Sequence, residues 1–158
     1  MLLIRNGLIF DAVHREPYTA DILVKDGKIA EIGAGLTADC PTFDAAGLHI
    51  YPGFVEAHCH IGLDGSGIGF EGDDCNEMTD ILTPQLRAID SINPQDEAFG
   101  LALRGGVTTA CTGPGSANVV GGTFAILKLA GKRVDKMVLR SPAAMKCAFG
   151  ENPKGCLL

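Results

Sequence analysis

The chain has 158 residues, a formal charge of −6 and a composition that is 46% hydrophobic and 20% charged. Such a composition buries a core and excludes intrinsic disorder. The negative charge and the absence of Trp argue against nucleic acid as a partner, and the length excludes a complete (β/α)8 barrel, which needs about 250 residues.

The first fifty residues read as β-structure. Met1 to Ile4 is apolar, but Arg5-Asn6-Gly7 ends the run too early for a secretory signal. Residues 2–5 and 8–11 flank Asn6-Gly7, and residues 22–25 and 28–32 flank Asp26-Gly27. Both pairs suit the positive φ angles of a two-residue hairpin turn, so two hairpins are expected. Two hairpins are only marginally stable alone and call for further strands. At Tyr51-Pro52-Gly53 the chain changes character, and residues 54–59 read as a short buried strand.

A Gly-rich acidic stretch follows over residues 61–80. Asn93 as N-cap, Pro94 at the first helical position and Asp96-Glu97 in the first turn then predict a helix through Arg104, stopped by Gly105-Gly106. Residues 107–111 are strand-like, 123–130 are expected as a helix closed by Gly131, 136–140 as a strand and 143–149 as a last helix. Strands alternating with helices predict a parallel sheet, and the residues from Tyr51 onward suffice for about three strand–helix units of about 30 residues. The fold class is therefore α/β. The boundaries are 1–50 for a small β-domain and 51–158 for the α/β part.

Seven basic residues lie from Lys128 onward, spaced as a solvated helix face. The six cysteines form no CxxC pair, and no run approaches the ~18 apolar residues of a membrane span. Reduced thiols in a cytoplasmic protein, with no membrane partner, are expected.

The sharpest chemical feature is Pro52-Gly53-Phe54-Val55-Glu56-Ala57-His58-Cys59-His60. Side chains alternate along a strand, so Glu56, His58 and His60 share a face and Cys59 points to the opposite, covered one. Two imidazoles at the end of a strand can converge on one divalent cation.

With Gly106-Val107-Thr108-Thr109, Pro114-Gly115-Ser116-Ala117-Asn118 and Gly150-Glu151-Asn152-Pro153-Lys154, the sequence resembles the metal-dependent amidohydrolase superfamily. The resemblance is in particular to imidazolonepropionase-like amidohydrolases. The resemblance implies a TIM barrel, of which residues 51–158 are the first three or so units. It also implies a small β-sandwich built from both chain ends, to which residues 1–50 contribute. One or two divalent metals, commonly zinc, would activate water to hydrolyse a non-peptide C–N bond of a small amide or cyclic amide. His58 and His60 are then metal ligands. Glu56, where the family usually has Asp, orients a ligand imidazole from behind. Glu151 is a further candidate ligand, against a plain surface role after Gly150.

By the same resemblance the site also draws on a bridging carboxylate or modified Lys, two more His and an Asp from later strands, whereas this chain has only two other histidines. His14 lies in a hairpin loop and His49 before the Tyr51-Pro52 turn. The isolated chain is accordingly expected to be an inactive fragment, a truncated or frameshifted product ending abruptly at Gly155-Cys156-Leu157-Leu158. The alternative is a non-catalytic interaction module that completes a sheet or barrel with a partner chain; homo-oligomerisation is compatible with either. Gly67-x-Gly69-x-x-Gly72 matches a dinucleotide fingerprint in letters but runs into Asp73-Asp74-Cys75-Asn76 rather than an apolar helix. Gly113-Pro114-Gly115-Ser116 could cradle an anion or serve as a plain β-to-α loop.

Overall fold

Strand β1 (Leu2–Ile9) organises the N-terminal unit of the computed structural model. That model describes residues 1–66 and 68–157; Gly67 of the glycine fingerprint and Leu158 at the terminus lie outside the described residues. The chain divides into two compact units, Met1–Pro52 and Gly53–Leu158. Together they give a mixed α/β chain with three sheets among the described residues.

In the first unit β1 pairs antiparallel with β2 (Tyr18–Lys25), which pairs antiparallel with β3 (Lys28–Gly33). On its other side β1 pairs in parallel with β4 (Thr42–Asp44) and β5 (His49–Ile50). The hairpin expected at Asp26-Gly27 is present, with φ of 52° and 73°. The one expected at Asn6-Gly7 is not. Asn6 does take a positive φ of 62°, but it forms an irregularity inside a continuous β1. The reason is its partners: its backbone N–H donates to Asp21 and its side-chain amide to Asp44, both at 2.9 Å. Gly7 must be small because an added Cβ would collide with Ile50 on the neighbouring strand. Ile9, Ala20 and Ile22 form the core of this unit, with Ile4, Tyr18, Val24 and Ile50 against it.

In the second unit β6 (Phe54–Cys59) and β7 (Val107–Thr112) run parallel, joined through α1 (Ala88–Ser91) and α2 (Glu97–Arg104). Helix α2 begins later than Asn93-Pro94 suggested. Asp96 is its cap and accepts from the Ala98 N–H at 2.9 Å, while Asn93 accepts from Gln95 in the preceding turn. The helix ends at Gly105-Gly106, as expected. The acidic stretch before α1 is irregular, with a single 3-10 turn at Phe70–Gly72.

Beyond Gly113 the predicted alternation fails. The segment expected as a helix over 123–130 is two strands, β8 (Val120–Thr123) and β9 (Ala125–Lys128). Strand β9 runs antiparallel to β7 because Ala125 and Leu127, with Leu129 just beyond, bury one face at a period of two. The strand expected over 136–140 is one helical turn, α3 (Val134–Met137), followed by β10 (Val138–Arg140) on the outer side of β9. The helix expected over 143–149 is β11 (Met145–Cys147), paired antiparallel with β8, and the last helix is α4 (Glu151–Leu157). Among the described residues there is one parallel strand–helix–strand unit rather than three. The sheet order is β10-β9-β7-β6, with a core of residues such as Leu63, Phe99, Ala110, Leu127 and Met137.

Candidate functional site

The His58-x-His60 pair lies at the C-terminal end of β6, where the parallel strands open into loops. The strand is present, but the burial expected of residues 54–59 is not: Val55 and Ala57 are exposed as well as Glu56 and His58, and Cys59 alone of the strand packs against the core, because β7 is the strand's single described sheet neighbour. Burial, the leading influence, raises the Cys59 thiol above its ordinary range, so it is a structural thiol rather than a nucleophile. The two imidazole rings are 5.5 Å apart between centroids and inclined at 84°.

His60 is fixed from behind. Its Nδ1 lies 2.7 Å from the Gly113 carbonyl oxygen. A carbonyl only accepts, so Nδ1 carries the proton and donates, which leaves the neutral ring's Nε2 lone pair available. Gly113 follows β7 directly, and its N–H donates back to the Cys59 carbonyl, so the two parallel strands together set this imidazole. His58 is set differently, by its ring packing at 5.2 Å between centroids from the buried ring of Phe124.

The other expected residues take separate places. Glu56 is on the same strand, but its carboxylate accepts from the His58 backbone N–H at 3.0 Å. Glu151 begins α4, is exposed and pairs with Lys154 at 3.0 Å. His14 and His49 lie in the N-terminal unit; the His14 ring meets Asp11 at 2.7 Å. Among the described residues no three His, Cys, Asp or Glu side chains come together as a metal-holding group.

The Gly113-Pro114-Gly115-Ser116 loop connects β7 to β8 and is neither a β-to-α loop nor an anion cradle. The Gly113 and Gly115 N–H groups are spent on the Cys59 and Cys75 carbonyls, and the Ala117 N–H on the Asn76 side chain. Asn118 ties the same loop down: fully buried, it donates from Nδ2 to the Glu77 and Asp80 carbonyls at 2.7 Å each. One residue escaped the sequence reading. Lys146, counted with a solvated basic face, is 8% exposed on β11 and lines a cavity of about 200 Å³ that His58 also lines. Its apolar flanks, Ala143-Ala144-Met145 and Cys147-Ala148-Phe149, were the available signal.

No protein-family model matches the chain. Among known proteins it is 34% identical over 154 residues to the amidohydrolase tasK of Hapsidospora irregularis, covering 87% of this chain and 16% of that protein. It is 45% identical over 64 residues to the allantoinase of Escherichia coli O1:K1, covering 40% of this chain and 14% of that protein. Among solved structures it matches an amidohydrolase from Thermotoga maritima MSB8 with a TM-score of 0.91 and 41% identity, covering 99% of this chain and 41% of that one. The chain thus spans well under half the length of these relatives. Agreement of backbone and sequence along nearly its whole length, with relatives of consistent kind, gives the lineage: the chain belongs to the amidohydrolase superfamily.

Proposed function

We propose that this chain is the opening portion of a metal-dependent hydrolase that cleaves non-peptide C–N bonds in small amides or cyclic amides, with His58 and His60 as two of its metal ligands. The observation that carries the reading is the HxH pair at the C-terminal end of a parallel strand, with the His60 Nδ1 committed to Gly113. Two imidazoles sharing a tetrahedral zinc, with Zn–N of about 2.0–2.1 Å, have ring centroids about 5 Å apart. The pair at 5.5 Å fits that requirement. The β6–α1–α2–β7 unit supports residues 51–158 as the start of a TIM barrel, and the sheet around β1 supports residues 1–50 as part of a β-sandwich domain. A bound divalent cation, zinc by its nitrogen donors, supplies a water of lowered pKa and a polarised carbonyl.

The residues present supply two donors, whereas a catalytic zinc takes three from protein. Glu56 is close enough in sequence to support the pair, but its hydrogen bond runs to backbone. Glu151 would have to leave Lys154 to become a ligand. We therefore assign no proton transfer to either carboxylate, and expect this polypeptide to be inactive by itself. The described cysteines are all free, which accords with the reducing, cytoplasmic setting proposed for the chain. No described helix is long and apolar enough to cross a membrane.

Metal analysis of the purified polypeptide, combined with turnover on a panel of linear and cyclic amides, tests the reading. The expected result is weak zinc binding, weakened further by about tenfold in His58→Ala or His60→Ala, and no turnover. Stoichiometric tight zinc with substantial hydrolysis would overturn the inactive-fragment expectation. Zinc binding indifferent to both substitutions would overturn the ligand assignment. The second reading, a non-catalytic module completed by a partner chain, draws on the open outer edge of β6, which ends its sheet.

A further inference from the structure

Lys146 is the unusual residue of the second unit. Lysines are almost never this buried without a partner, because an ammonium taken from water needs compensation. Yet among the described residues no carboxylate pairs with it, and it makes no described side-chain hydrogen bond. Its stem lies along β8, pairing with Gly122, where an added Cβ on Gly121 would come within 3.4 Å of the Lys146 Cγ. The ammonium itself is not sealed in. A buried stem with an accessible head is a charge held in place rather than left free on the surface.

The cavity it lines is shared with Ala57, His58, Cys111, Phe124 and Met145, and among the described residues no acidic side chain lines it. The cavity therefore brings the Lys146 and His58 side chains to one mixed polar and apolar lining, in which Lys146 supplies the fixed positive charge. We propose that this cavity is an anion-recognition subsite in which Lys146 receives a carboxylate of the ligand, so that the lineage's amide substrate here is a small carboxylate-bearing amide. The inference deepens the hydrolase reading and rests on it. A carboxylate matches a single ammonium in charge. A phosphate, at about −1.5 to −2, would leave charge uncompensated where no second cation lines the wall.

Binding of N-acetylglycine and of its uncharged amide, N-acetylglycinamide, to the full 158-residue chain tests this by NMR titration in the presence of a chelator, so that metal plays no part. The acid is expected to bind better than the amide by about tenfold, the usual worth of a hydrogen bond to a charged group. Lys146→Met should abolish that preference and Lys146→Arg should retain most of it, with the far-UV CD of each variant matching the parent. Equal affinity for acid and amide, or undiminished acid binding in Lys146→Met, would overturn the proposal. Inorganic phosphate competing as well as the acid would overturn the carboxylate assignment. Because the metal is absent from this titration, the outcomes separate. An acid preference without any zinc binding sinks the ligand assignment alone, and zinc binding at His58 and His60 without an acid preference sinks the subsite alone.

Discussion

Cys75, within the acidic stretch, is 6% exposed and packs into the core. Burial first, and then the nearby carboxylates of Asp64 and Asp73, push its thiol from the ordinary 9.0 up to about 12. A raised thiol pKa favours the neutral folded form, so this contribution is fully present below the unfolded pKa of about 9 and is lost as pH rises toward about 12. The thiolate is the reactive species, and Cys147 and Cys156 are exposed. Iodoacetamide at about pH 8 should therefore label those two in the native chain and reach Cys75 only in urea. Mass spectrometry showing Cys75 modified as fast as Cys147 would contradict the buried assignment. Asn118 makes a second case. Asn118→Ala strips the Glu77 and Asp80 carbonyls of the donor they share from a fully buried side chain. The expected loss is about 2 kcal/mol or more, read as a lower urea midpoint at unchanged slope.

At the scale of elements, the β2–β3 hairpin shows what local chemistry can decide. Asp26 and Gly27 both have positive φ, and nothing surrounds the Gly27 Cα within reach of a Cβ. Gly27→Ala should therefore cost about 1–2 kcal/mol from backbone strain alone, with no steric clash to add to it, and a thermal unfolding midpoint checks it. The Asn6-Gly7 pair carries the same letters, yet its positive φ serves an irregularity because Asp21 and Asp44 capture Asn6 from other strands. Those captures come from residues 15 and 38 positions away, which no local pattern contains. The strand β9 was misread for a different reason. Its burial period of two was visible in Ala125, Leu127 and Leu129, but Ala, Leu and Lys are good helix formers and Gly131 imitates a helix stop. The His58-x-His60 pair was legible because strand alternation over three residues is local, whereas the burial of Lys146 depends on β8, twenty-odd positions upstream.

For the second unit as a whole, the sheet order leaves β6 at one end, paired only with β7 among the described strands. Its side chains are exposed along most of its length, Val55 at 68%. An open edge with an apolar, β-branched residue is a template for another strand, and soluble proteins normally cover or charge it. The chain covers 16% and 41% of the length of these relatives, so each has further segments from which a strand for this edge can come. For this polypeptide the expectation is self-association through β6. Size-exclusion chromatography with light scattering should show a mass that rises with concentration, and Val55→Lys should shift it toward the monomer, because an edge lysine resists pairing. His58 and His60 stand on and just beyond this strand, so association should also shield them from carbethoxylation, and the same substitution should restore their reactivity. A monomer at all concentrations would mean that β6 tolerates exposure, and would remove the structural ground for a partner-completed module as well.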